Sequence, residues 1–164
     1  MHIAVDQSGK IEQTDRATAL AFSNGISYAV LIPARVKRRA ITILRATGKR
    51  GKSVYISLFA AALYQLLKDH LDKIELITID MEYEGNEQDV KLALLNLIWQ
   101  RRPTYSADSI TFRHISKKSP AHKKALATYR KAIRADWTLQ VDDLLLPLSG
   151  KKQKRSGKPF RGGP

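Results

Sequence analysis

Apolar residues recur along this chain in two rhythms: the alternation of strands and the three-to-four spacing of helices. Residues 2–5 read as a short buried strand ending on Asp6, and Gln7-Ser8-Gly9-Lys10 has the chemistry of a turn. A second strand is expected around residues 11–14. Ile26–Ile32 (ISYAVLI) is rich in β-formers and stops at Pro33, so the opening predicts an antiparallel meander.

The period then changes. Residues 34–47 place Val36, Ala40, Ile43 and Leu44 at helical spacing, and residues 48–52 interrupt it. Ser53 can cap a longer helix through about Leu71, with a broad face of Leu58, Ala61, Ala62, Leu63, Leu66 and Leu67. Residues 73–80 (KIELITID) form a strand that ends on a carboxylate. Asn86 can cap the next helix, through Val90, Leu94, Leu97 and Ile98. Residues 109–115 (SITFRHI) alternate as another strand. Ser119-Pro120 is a helix start, and Leu126, Tyr129, Ile133 and Trp137 would be the buried stripe that follows. Residues 139–146 continue as a helical segment up to Pro147. The order β-β-β-α-α-β-α-β-α predicts an α/β fold, a mixed five-stranded sheet flanked by helices.

Composition adds a partner. The 164 residues hold 29 Lys plus Arg against 15 Asp plus Glu, a formal net charge of +14, and such an excess attracts polyanions. Six of those charges lie in residues 150–164, which contain no acid and read as a disordered basic tail behind a domain over residues 1–149. With no cysteine, disulfides and Cys-ligated zinc are excluded. The N-terminus shows no signal-peptide pattern and no apolar run approaches a membrane span, so a cytoplasmic protein with no membrane partner is expected.

The candidate chemistry lies in carboxylates. Cleavage of a phosphodiester by a two-metal site needs several of them converging on divalent ions. Oxygen ligands suit Mg²⁺ or Mn²⁺. Asp6 and Asp80 each close an apolar strand, and they would lie side by side if those strands were neighbours. Asp142 and Asp143 stand inside the apolar string LQVDDLLLPL, either capping a turn or reaching a site. Glu82 and Glu84 follow Asp80 at alternate positions, which makes one of them a candidate fourth ligand.

This order of elements resembles the ribonuclease H-like fold. The motifs VDQSG near the start and LQVDD near the end are similar to those of an uncharacterised family within that superfamily. Its members open on an Asp-Glu-Ser-Gly strand end and close on Leu-Gln-x-Ala-Asp-Leu. The resemblance covers roughly residues 2–148. It implies a metal-dependent nuclease with Asp6 as the strand-one carboxylate, Asp80 at the end of strand four and Asp143 on the last helix. Gln7 stands where that family has Glu, and Asp142 where it has a small residue. In some enzymes of this class a histidine before the last helix shuttles protons, which makes His114 and His122 candidates.

Residues 35–52 hold Arg35, Lys37, Arg38, Arg39, Arg45, Lys49, Arg50 and Lys52 and no acid. The last long helix adds Lys123, Arg130 and Arg134 on one face, with Lys124 and Lys131 beside them. Such faces track nucleic-acid phosphates rather than read bases. Residues 46–53 (ATGKRGKS) also fit a relaxed P-loop, with Lys52 on phosphates and Ser53 on Mg²⁺. That nucleotide-hydrolysing alternative needs residues 41–44 as a strand, where the spacing favours a helix. The sequence thus predicts a nuclease acting on RNA, RNA–DNA hybrid or structured DNA. Its first alternative is a non-catalytic nucleic-acid-binding protein on the same fold, made credible by Gln7.

Overall fold

The structure, a computed structural model, describes residues 1–150; the expected basic tail beyond Gly150 lies outside the described residues. Three strands, β1 (His2–Ser8), β2 (Thr18–Asn24) and β3 (Ile26–Ile32), form an antiparallel meander. Two helices follow, α1 (Ala34–Ala46) and α2 (Lys52–Leu67), then β4 (Leu76–Asp80) and α3 (Glu87–Trp99). The chain closes with β5 (Ile110–Arg113), α4 (Pro120–Tyr129), β6 (Trp137–Thr138) and α5 (Val141–Leu148). The sheet order is β5-β4-β1-β2-β3-β6, with β4 parallel to β1, β5 parallel to β4, and β6 parallel to β3. Among the described residues no helix is long and apolar enough to cross a membrane.

Two expectations about strands are corrected. The second strand lies at Thr18–Asn24, not at residues 11–14, which belong to the β1–β2 connection. In β2 the first five residues are all buried, so alternation is lost. Leu20 and Phe22 join the main core, while Ala21 packs with Ala29 and Ala125. Helices cover both faces of this strand, which is the condition that erases period-two patterning. The sheet also has six strands rather than five. Trp137, expected on a helix stripe, pairs with Val30 in β6.

The fourth helix ends early for a backbone reason. Lys131 takes φ 60, Lys131 N–H donates to Thr128 O at 3.1 Å and Ala132 N–H to Ala127 O at 2.9 Å. This is a Schellman stop with lysine where glycine is usual. Ile133 is therefore 42% exposed, and the buried face is Ala121, Ala125 and Thr128. Arg134 lies beyond the helix and shares no helical face with Lys123 and Arg130.

The two faces of the sheet carry different layers. Ile3, Val5, Leu20, Phe22, Val30, Ile32, Ile77 and Ile79 meet α1, α2, α3 and α5 in the main core. On the other face α4 crosses the meander over Ala21 and Ala29, whose small side chains let it sit close. The same close approach requires Gly9, which has φ +78. A Cβ there would lie 2.3 Å from Ala17 O and 2.8 Å from the Tyr129 ring.

Candidate metal centre

The parallel register pairs Val5 with Ile79, so Asp6 and Asp80 are the next residues of neighbouring strands at the same edge of the sheet. Glu82 follows two residues after β4, its N–H donating to Asp80 O at 3.0 Å. Asp6, Asp80 and Glu82 each offer an oxygen, all within 4.8 Å of one another, a group that could hold a metal ion. The three acids line one recess with Gln7 and Phe59.

Each acid is held by a different element. Asp6 is 4% exposed; its Oδ1 accepts Gln7 N–H at 2.8 Å, and its Oδ2 lies 2.8 Å from His122 Nδ1 on α4. Asp80 Oδ1 accepts Ile115 N–H at 2.7 Å, which ties β4 to the β5–α4 connection. Glu82 is anchored through its neighbour Tyr83, whose ring lies 4.9 Å from that of Phe59 on α2. Burial raises the Asp6 carboxyl above the ordinary range; the His122 contact and Gln7 N–H pull it back down, and the Asp80 charge raises it further. Burial first, then the charges of Asp80 and Asp6, raise Glu82, against the pull of Lys10. Burial and like charge thus oppose ionisation of Asp6 and Glu82, and His122, Gln7 N–H and Lys10 offset this only in part.

The fit to a hard divalent cation can be judged from this geometry. Two oxygens on one ion at about 2.1 Å can lie no more than about 4.2 Å apart. A set already confined within 4.8 Å closes on an ion with small side-chain adjustments. Gln7 is 5% exposed, and its carboxamide lies beside the Tyr83 hydroxyl, which burial pushes well above its ordinary value and which the Gln7 side chain and the Ile11 backbone draw back down.

Asp143, expected as the third ligand, is not in this group. It sits in the first turn of α5, where its carboxylate accepts Gln140 N–H at 2.7 Å in a capping box. Its carbonyl accepts the Gln65 amide at 2.5 Å, so this segment is fastened to α2 in the main-core layer. The neighbouring Asp142 is exposed in the same turn. Glu84 is exposed, and His114 Nε2 lies 3.6 Å from it, so these two face each other at the surface. Of the two histidines, only His122 touches the carboxylate group. From the C-terminal part of the chain α4, not α5, reaches the carboxylates.

The basic residues divide into structural and exposed sets. Lys37 is fully buried, and its ammonium donates to Lys10 O at 3.0 Å, Gln13 O at 2.7 Å and Thr18 Oγ1 at 3.1 Å. Arg38 donates to Thr14 O at 2.9 Å. Both fasten the β1–β2 connection, which removes Lys37 from the phosphate-binding set and gives Arg38 a structural duty. Arg35, Arg39, Lys49, Arg50, Lys52, Lys123, Arg130 and Arg134 are exposed. Residues 47–51 join two helices, and residues 41–44 lie inside α1, so the strand a P-loop requires is absent at that place.

Helix α2 runs opposite to β1. Its second turn places Phe59 at the carboxylate recess, whereas beyond its C-terminal end Glu75 N–H donates to Met1 O at 2.8 Å, at the start of β1. Lys52 precedes Phe59 by seven residues, about 10 Å along the axis, so exposed Lys49, Arg50 and Lys52 stand at the end of α2 nearer the recess. On the other face, exposed Lys117 and Lys118 lie in the connection that bonds Asp80 through Ile115. Sequence reading passed over these two lysines and Lys10; the Lys117-Lys118 pair just before Ser119-Pro120 was the available signal.

Compared with models of known families, with curated proteins and with solved structures, the chain matches none.

Proposed function

We propose that this protein is a divalent-metal-dependent nuclease of the ribonuclease H-like kind, with Asp6, Asp80 and Glu82 as its ligands and Mg²⁺ or Mn²⁺ as its cofactor. The observation that carries the reading is the convergence of three carboxylates at the end of two parallel central strands, from positions more than seventy residues apart. The order β3-β2-β1-β4-β5, an antiparallel meander extended by two parallel strands, supports the fold likeness. When bound, such an ion supplies Lewis-acid polarisation of a phosphodiester and lowers the pKa of a coordinated water.

The chain's own residues do the rest. Gln7 N–H and His122 hold the two oxygens of Asp6, and Ile115 N–H holds Asp80. Phe59 and Ile79 make one side of the recess apolar and restrict water there. Lys49, Arg50 and Lys52 on one flank and Lys117 and Lys118 on the other would neutralise phosphates of a bound strand.

The test is Mg²⁺- or Mn²⁺-dependent cleavage of RNA, RNA–DNA hybrid, single-stranded DNA and a four-way junction, by wild type and by Asp6→Asn. Cleavage by wild type alone is expected. Cleavage that survives Asp6→Asn overturns the assignment. A second reading, a nucleic-acid-binding protein without catalysis, is favoured by one observation: the last-helix carboxylate Asp143 is spent on a helix cap, leaving three acids in the group. Salt-sensitive binding with no cleavage of any substrate would select it.

A further inference from the structure

His122 is buried against the sheet on its Nδ1 side, with a quarter of its side chain exposed, and its Nδ1 lies 2.8 Å from Asp6 Oδ2. An ionised carboxylate only accepts, so in the ion-binding state the shared proton sits on Nδ1. The other oxygen of Asp6 is fixed by Gln7 N–H at 2.8 Å. One oxygen is thus held by the strand and the other by a helix on the opposite side of 116 residues of chain. Without His122 the side chain would keep only a contact to its own neighbour, which leaves rotation of the carboxylate poorly determined.

The position of His122 is itself determined. Asp6 pairs in register with Ala21, and Ala21 packs with Ala29 and Ala125. Ala125 is one turn beyond His122 on α4, and Ala121, Ala125 and Thr128 form the buried face. The helix begins with Ser119 capping Ala121 N–H at 3.2 Å and Pro120 in its first turn. Small residues under the helix therefore set the height at which the imidazole meets the carboxylate.

We propose that His122 is the positioning residue of the carboxylate centre: its Nδ1–H fixes Asp6 so that the carboxylate stays aimed at Asp80 and Glu82. The assignment rests on the metal-centre reading above and deepens it. It gives the histidine a duty in ion binding that does not depend on proton transfer to a substrate.

The experiment is titration of the full chain with Mn²⁺, followed by electron paramagnetic resonance, alongside melting temperatures in chelator. His122→Ala is expected to weaken Mn²⁺ affinity by about 10- to 100-fold, the usual effect of removing a partner that orients a ligand. His122→Asn places an amide N–H where Nδ1–H stands and is expected to restore affinity to within about threefold of wild type. Equal affinity of wild type and His122→Ala overturns the proposal, as does an equal loss in both variants. Should His122→Ala fail to fold, a large loss of affinity in a normally melting His122→Asn still overturns it. Absence of Mn²⁺ binding by wild type overturns the carboxylate centre itself, a different result from unaltered binding by the variants.

Discussion

The Asp80 carboxylate accepts the N–H of Ile115 at 2.7 Å, which couples the end of a central strand to the connection entering α4. The same carboxylate contributes an oxygen to the group with Asp6 and Glu82. Asp80→Asn keeps an oxygen for Ile115 but removes one of three like charges. In chelator the variant is expected to melt at or slightly above the wild-type temperature. It should also lose the rise in melting temperature that Mg²⁺ gives to wild type, since an ion stabilises only through its preference for the native state. A clear drop in chelator, or an undiminished Mg²⁺ effect, would show that Asp80 serves the fold alone.

The raised carboxyls make a prediction about pH. Asp6 and Glu82 ionise less readily in the folded protein than at their ordinary values of 3.8 and 4.5, with burial the first cause in both. The folded state therefore binds more protons than the unfolded chain just above those values. Their contribution to stability is fully present below 3.8 and 4.5 and is lost as pH rises through the raised folded-state values. Melting temperature measured in chelator across this window should fall more steeply with pH than in saturating Mg²⁺, where the ion takes over the compensation. Parallel profiles with and without Mg²⁺ would count against an ion at this place.

Lys37 titrates in the other direction. Burial lowers its ammonium from 10.5 to about 8. The folded state then binds fewer protons than the unfolded chain between those values, so this group adds stability as pH rises from about 8 towards 10.5 and loses it as pH falls through about 8. Lys37→Met should abolish that rise. It should also destabilise the protein at neutral pH by about 1–3 kcal/mol, because Lys10 O, Gln13 O and the Thr18 hydroxyl lose their donor. Chemical denaturation at pH 7 and pH 10 separates the two effects.

Much of the fold was legible because helices and strands that bury one face keep their period. The α1, α2 and α3 patterns led to the observed helices, and Asp6 and Asp80 led to the edge where they meet. What was hidden has physical causes. Strand β2 is buried on both faces and does not alternate. The end of α4 is written in a left-handed Lys131, where composition gives no glycine to read. The string LQVDD carries a capping box whose acid turns back to Gln140 N–H, and spacing alone cannot separate that use from a ligand. The His122–Asp6 contact depends on how closely α4 sits on Ala21 and Ala29, which is a property of packing and not of local sequence.

The left-handed lysine is itself testable. A non-glycine residue in that region costs about 1 kcal/mol relative to glycine. Lys131→Gly keeps both hydrogen bonds of the helix stop and relieves the side-chain clash, against a small gain in unfolded-chain entropy. Its melting temperature should rise by about 1–4 °C. A decrease would mean that the lysine side chain itself stabilises the fold.

The charge distribution gives the prediction that bears most directly on what the protein binds. Of the acid-free stretch between residues 35 and 52, Lys37 is buried and Arg38 bonds the β1–β2 connection, whereas Lys49, Arg50 and Lys52 are exposed at the entrance to α2. That entrance lies about two helical turns before Phe59, which lines the carboxylate recess. On the proposed function, a nucleic acid bound over the carboxylates is expected to reach this loop. Each phosphate neutralised contributes about 0.9 to the log–log slope of duplex affinity against salt. Replacing Lys49, Arg50 and Lys52 together by alanine should flatten that slope by up to about 2.7 and weaken binding most at low salt. The fold and Mn²⁺ affinity should be unchanged, because none of the three touches the core or the acids. Arg35→Ala, on the exposed face of α1, provides a comparison at a position with no such link to the recess. If the triple variant keeps the wild-type slope while binding persists, phosphates are held elsewhere and this loop is no part of the nucleic-acid path.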